Sequence, residues 1–266
     1  MVTAVLNGPA GRGAGAVPHR RRANVCPGCN NSFVLLFVAV LLVIPPASSG
    51  APQQSYVTKF PADSRIVLMP PDIRYYLISA GGNPELHEAW TADAESRFSI
   101  AFAAGAASRG VNAGVASRAD LSEQALSYEG LHAAVGEAIV EHVVGDAGLP
   151  SKSTNRINEW TLGPGVSVIR EETGADYALF VHYRDNQSSG GRIAFAILAA
   201  AANRVIPTGS EHGFASLVDL QHGTVAWFAV LPDAGLELRE EDGAAELAAW
   251  ILGQLPVAGA LPRDGE

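Results

Sequence analysis

His182, Asp185, Ser188 and Ser189 stand close together in this sequence. A histidine at the end of an apolar strand, followed by an acid and hydroxyls in a polar stretch, has the ingredients of a base-activated nucleophile. Ligands in open α/β sheets gather beyond the carboxyl ends of strands, which is where such a group would sit. A Ser-His-Asp set is defined by its geometry, however, not by closeness in sequence. The chain also has no G-x-S-x-G elbow to expose a nucleophile. The residues therefore leave open a hydrolase built on His182, Asp185 and Ser188 or Ser189, beside the simpler reading of a polar loop. Placement of His182 and its partners on opposite faces of a sheet would end the first.

A second acid and imidazole stand three residues apart, at Asp219 and His222, between the apolar stretches 214–218 and 225–231. Here a turn explains the residues better than catalysis. Asp219 suits the first position of a type I turn, where its carboxylate accepts backbone N–H groups. Gly223 suits a positive φ at the end of a four-residue loop. That register pairs Asp219 with Thr224, Leu217 with Ala226 and Ser216 with Trp227. It places Trp227 on one face with Phe214, Val218 and Val225, and Phe228 on the other with Ala215, Leu217 and Ala226. Asp219, Gly223 and Trp227 are read as fold markers, and His222 as a solvated loop tip.

The other candidates are weaker. Ser188-Ser189-Gly190-Gly191-Arg192 could offer backbone N–H groups to an anion, as could Gly163-Pro164-Gly165. Neither matches a phosphate-binding motif, and turn or cap chemistry explains both. Of the histidines after the leader (His87, His132, His142, His182, His212 and His222) no two lie at i, i+4, and there is no H-E-x-x-H. His142 reads as a core or interface histidine. Cys26-Pro27-Gly28-Cys29 is a lone C-x-x-C with no second half to complete a zinc site. No cofactor, catalytic or metal site is assigned from the sequence.

Those cysteines lie in a segment that reads as an address. Arg20-Arg21-Arg22 precedes a twelve-residue apolar run, 33–44, followed by Pro45-Pro46-Ala47-Ser48-Ser49. A basic region, a short apolar region and small residues make a secretory signal peptide, and the run is short of the roughly 20 residues of a spanning helix. Cleavage near Ser49 is expected, giving export to the periplasm or cell envelope. No cysteine follows the apolar run, so a lipoprotein is not expected. The chain thus divides into a signal peptide (1–49), a flexible lead-in (50–63), one domain (64–256) and a disordered tail (257–266). Beyond residue 49 there are 14 basic and 27 acidic residues, a net charge of −13. Such a domain offers no electrostatic footprint for nucleic acid and is repelled by anionic lipid.

The elements that must position these residues follow from periodicity. Arg65–Met69 reads as a buried strand ended by Pro70-Pro71, and 72–89 as a long loop. Thr91 caps a helix reaching to Gly110, with Trp90, Ala94, Phe98, Ala101 and Gly105 on one face. A short strand is read at 113–117. Ser122 to Val144 is a second helix, with Leu131, Val135, Ala138, Ile139 and Val143 inward and Gly145 as its stop. Pro164 opens and Gly174 closes a third. Ala175–Tyr183 is the central strand, 184–191 a polar loop, and Ile193–Ala202 a buried helix. The hairpin and a helix over 242–255 complete the domain. Strands alternating with helices give one α/β domain: a mixed, mostly buried sheet with helices packed on it and a β-hairpin near the C-terminus.

Two short motifs carry a resemblance. The hairpin Leu217-Val218-Asp219 … Gly223 … Trp227 and the strand entry Gly174-Ala175-Asp176-Tyr177-Ala178-Leu179 resemble those of bacterial envelope proteins related to CsgG and to the amino-terminal domain of TolB. The likeness extends to the order of elements from about residue 65 to 255. It implies an envelope domain that works by binding a partner protein or by homo-oligomer assembly, not by catalysis. The sequence departs from that pattern at His222, where threonine is usual, in lacking a lipid-anchoring cysteine, and in region 186–212. That region is Ala-rich where channel-forming members have alternating hairpins. Besides core and self-association, peripheral membrane contact is a further reading of Ile193–Ala202, and a small-ligand site a further alternative for the domain.

Overall fold

One long strand organises the sheet. The computed structural model describes residues 53–55, 61, 64–145, 157–232 and 235–256; the segment 1–49 read as a signal peptide, with its cysteine pair, and the tail 257–266 lie outside the described residues. The chain runs β1 (Gln53–Ser55), β2 (Ile66–Leu68), β3 (Asp72–Ile78), β4 (Pro84–Leu86), α1 (Glu88–Ser108), β5 (Ala113–Val115), α2 (Glu123–Ile139), α3 (Ser167–Thr173), β6 (Tyr177–Ser188), α4 (Gly190–Ala201), β7 (Gly209–Asp219), β8 (Val225–Val230) and α5 (Glu241–Gln254). These strands form one eight-stranded mixed sheet in the order β1-β8-β7-β6-β2-β5. β6 is long enough to take two parallel neighbours on one edge. β2 lies against Tyr177–Leu179, and β3 against His182–Ser188, with β4 antiparallel beyond it. Pro70-Pro71 therefore ends β2 without ending the sheet.

Both faces are covered by helices. On one, Ala94, Phe98, Phe102 and Ala106 form the buried stripe of α1, with Ala244, Leu247, Ala248, Ile251 and Leu252 of α5 beside it. They pack on Leu179, Val181 and Tyr183 of β6, Ala215 and Leu217 of β7, and Trp227. Burial of each phenylalanine is worth about 2–3 kcal/mol relative to exposure. On the other face α2, α3 and the segment 157–166 cover Ala178, Phe180, Phe214, Val218, Val225 and Phe228.

The structure departs from the sequence reading in several places. Asp72–Ile78, expected as loop, is β3; Ile73 and Tyr75 are buried on one face and alternate with Arg74, exposed on the other. β6 continues through the polar stretch to Ser188, because β3 and β7 satisfy its backbone on both edges. Gln53–Ser55, expected within the flexible lead-in, pairs with β8. α1 begins at Glu88 with His87 as its cap, and Thr91 instead accepts the Tyr75 N–H. α2 is rotated from its expected orientation: Ala125, His132, Gly136 and Ile139 point inward, and Leu131 is exposed. The α2 helix continues as one π-helical turn over 140–144 before Gly145.

The hairpin carries a bulge. Asp219 N–H donates to the Thr224 carbonyl, but further along Val218 pairs with Val225, Leu217 with Trp227 and Ser216 with Phe228. Ala226 is the extra residue between them. The expected faces of Trp227 and Phe228 are thereby exchanged. Trp227 joins the core under α1 and α5, and Phe228 the side under α2.

Candidate functional site

The pleat of β6 decides which polar residues meet. His182 lies on the α2 side with Phe180 and Arg184, while Asp185, an odd step away, falls on the other. The structure does not bring His182 together with Asp185 and Ser188. Asp185 accepts from the Gln187 side chain, and Ser188 sits at the far end of β6. The partner of His182 comes from β3. The two strands pair in register at Asp72 and His182, and His182 Nδ1 lies 2.9 Å from Asp72 Oδ2.

Asp72 is the hub of this cluster. Its carboxylate accepts from Arg184 at 2.6 Å and from Arg74 at 2.9 Å, and its carbonyl accepts from Arg184 at 2.7 Å. Burial alone would raise its pKa, but the bonds from His182, Arg184 and Arg74 outweigh that and hold the carboxyl well below the usual range. Asp72 is thus an ionised acceptor, which fixes the proton of His182 on Nδ1 and turns the Nε2 edge toward α2. There Glu137 Oε1 stands 3.6 Å from His182 Nε2 and 3.7 Å from His212 Nε2. His212 is two residues from Phe214, the β7 partner of His182, and so lies diagonally across the strand pair. The His182 ring stacks on Phe214 with centroids 4.7 Å apart. Glu137, His182 and His212 are the described residues that could hold a metal ion together.

A second imidazole lies deeper. His132 of α2 is 2% exposed and Ser216 of β7 is 1% exposed. His132 Nε2 lies 2.8 Å from Ser216 Oγ. Burial pulls the His132 pKa down to about 3, so the ring is neutral at physiological pH. This serine–histidine pair has the elements of a nucleophile and its base, but it is closed beneath α2, so no substrate can reach it in this arrangement. It is a packed polar pair in the core.

The turn residues form a separate, local unit. Asp219 Oδ1 accepts from Gln221 N at 2.7 Å and from His222 N at 3.2 Å, and Oδ2 lies 2.7 Å from His222 Nδ1. Gly223 has φ 75°, and a Cβ on it would overlap the backbone of Gly163, so a side chain there has neither the conformation nor the room. Trp227 is fully buried.

Of the residues in these clusters, the sequence reading picked out His182, Asp219, His222, Gly223 and Trp227. It missed Asp72, Glu137, His212 and the His132–Ser216 pair, whose meeting depends on strand register and helix rotation. No family model matches this chain, and no curated protein matches it. Among solved structures it is similar to the PelC dodecamer from Paraburkholderia phytofirmans in space group P6. The TM-score is 0.36 at 14% identity over 77% of this chain and 97% of that one. A single-substitution variant of the same protein, in space group C2, gives 0.34 at 12% identity over 77% and 96%. At those scores the likeness carries no functional argument.

The other notable surface is α4. The sequence reading favoured a core helix over 193–202; the structure overturns that, since no residue of α4 is buried. Ser189 caps it, accepting from Arg192 N. Its small residues Ala196 and Ala199 are half-buried, while the large ones face water: Phe195 is 50% exposed, Ile197 66% and Leu198 70%. Such a side chain distribution is the reverse of a helix buried by its own domain. Among the described residues no helix is long and apolar enough to cross a membrane.

Proposed function

We propose that this chain is an exported cell-envelope protein that acts by association rather than catalysis, with α4 seated on a second copy of the chain. The outward apolar face of α4 carries the reading. A contiguous row of large apolar side chains held in water marks an interaction surface. The charge pattern favours a second copy as the occupant. Residues 186–210 contain Arg192 and Arg204 and no acid, whereas the chain beyond residue 49 has a net charge of −13. One copy thus offers an apolar, weakly basic helix to the acidic body of another, while anionic lipid would repel that body. The signal-like leader and the hairpin resemblance support the envelope setting.

Light scattering with size-exclusion chromatography tests this on protein recovered from cells expressing the whole chain. Oligomers are expected at tens of micromolar, and Ile197→Glu with Leu198→Glu should convert them to monomers without altering the circular dichroism. A monomeric parent protein would overturn the reading. So would a parent that is monomeric in solution but floats with phosphatidylglycerol vesicles, which would give α4 to a membrane surface.

A further inference from the structure

We propose that Glu137, His182 and His212 form a binding site for a divalent transition-metal ion, zinc foremost, on the α2 face of the sheet. The inference does not depend on α4 or on self-association. Three electron-pair donors converge here from three different elements: His182 Nε2 from β6, His212 Nε2 from β7 and a Glu137 oxygen from α2. All three atoms lie within 4.8 Å of one another. Around a tetrahedral zinc, ligand atoms stand about 3.4 Å apart, given bonds of about 2.0–2.1 Å. The two edges that meet at Glu137 Oε1, 3.6 and 3.7 Å, are already close to that spacing. The remaining adjustment falls on His212 and Glu137, whose side chains are 51% and 52% exposed and free to shift, while His182 is held.

The surroundings fit a metal ligand set. Asp72 accepts a hydrogen bond from His182 Nδ1–H and leaves the Nε2 lone pair facing the other two donors, the carboxylate–histidine arrangement that orients metal-bound imidazoles. The Arg184 guanidinium is engaged elsewhere, its bonds going to Asp72 and to the Tyr183 carbonyl. Two imidazoles and a carboxylate are a borderline ligand set that suits zinc, and three protein ligands leave a fourth position for water or an incoming ligand. The same geometry would also suit protonated histidines paired with Glu137, and the experiment separates the two.

Isothermal titration with ZnCl2 is made on the full chain carrying Cys26→Ser and Cys29→Ser, so that the leader thiols do not contribute. One equivalent should bind with a Kd of about 1 μM or tighter. Glu137→Gln and His212→Ala, both at open positions, should each weaken binding at least tenfold while leaving the circular dichroism unchanged. Bound Co2+ should give the intense visible absorption of a low-coordinate nitrogen–oxygen site in the parent and lose it in both variants. A parent that binds no zinc after dialysis against EDTA would overturn the proposal, as would variants that bind as tightly as the parent. Either result would reduce the cluster to a histidine–carboxylate pair.

Discussion

His132 shows how much a single polar side chain can be asked to do inside this domain. It occupies an inward position of α2 where an aliphatic residue would ordinarily sit, and Ser216 is the partner that makes this tolerable. Removing one member of a buried hydrogen-bonded pair costs about 1–3 kcal/mol, whereas removing both can be nearly neutral. His132→Phe and Ser216→Ala should therefore each destabilise, and the double replacement should recover most of the loss, in a double-mutant cycle read by urea unfolding at pH 8. Additive losses would show that the two side chains are not coupled. The pH dependence follows from the neutral ring. With its pKa near 3 in the fold against 6.5 unfolded, the unfolded chain binds the extra proton between those values. The stabilising contribution is complete above pH 6.5 and declines as pH falls toward 3, by at most about 1.4 kcal/mol per pH unit. The gap between the parent and His132→Phe should narrow over that range.

At the scale of elements, α2 is positioned by a glycine as much as by its apolar residues. A Cβ on Gly136 would overlap the Phe214 ring, whereas one on Gly130, in the same helix, would meet nothing within 4 Å. Helix propensity alone favours alanine at both by about 1 kcal/mol. Gly130→Ala should accordingly raise the urea midpoint and Gly136→Ala lower it, since overpacking costs about 1–3 kcal/mol; equal stabilisation by both would refute the close approach of α2 to β7. This contact also explains what could be read from the sequence. Helix limits carry local signals, and Ser122, Gly145 and Gly174 do mark the ends of α2, its π turn and α3. Which face turns inward is not a local property: Leu131 outranks His132 in hydrophobicity, but only His132 finds Ser216 beneath it. β3 was hidden for a similar reason. Its alternation of Ile73 and Tyr75 with Arg74 is plain, yet the turn chemistry of Gly81-Gly82-Asn83-Pro84 reads the whole of 72–89 as a loop, and the meeting of Asp72 with Arg184, 112 residues away, has no local signal. The bulge at Ala226 left no sequence signal, so the register from the turn was carried one residue too far.

For the whole molecule, the decisive contrast is between a sheet closed on both faces and one helix that the domain does not bury. α1 and α5 complete one side of the core, and α2 and α3 the other. α4 sits on the connection between β6 and β7, whose pairing already runs out to Gln187 and Gly209. An element with no fully buried residue adds little to stability, so keeping its large side chains in water requires another reason than folding. Composition suggested a core helix because ten apolar residues in a row normally mean one; the surface that would bury them is not found within the described fold. Excision separates the two roles. With Ser188 and Thr208 joined through Asn-Gly, in place of 189–207, the strands keep their register and acquire a two-residue turn suited to their twist. The shortened protein should keep the parent's far-ultraviolet circular dichroism and melt within a few degrees of the parent's own monomeric Ile197→Glu, Leu198→Glu variant. It should also elute as a monomer. If it fails to fold, or melts far below that variant, α4 belongs to the core after all and its exposed face needs no partner. If it folds and still assembles, the copies meet through some other surface.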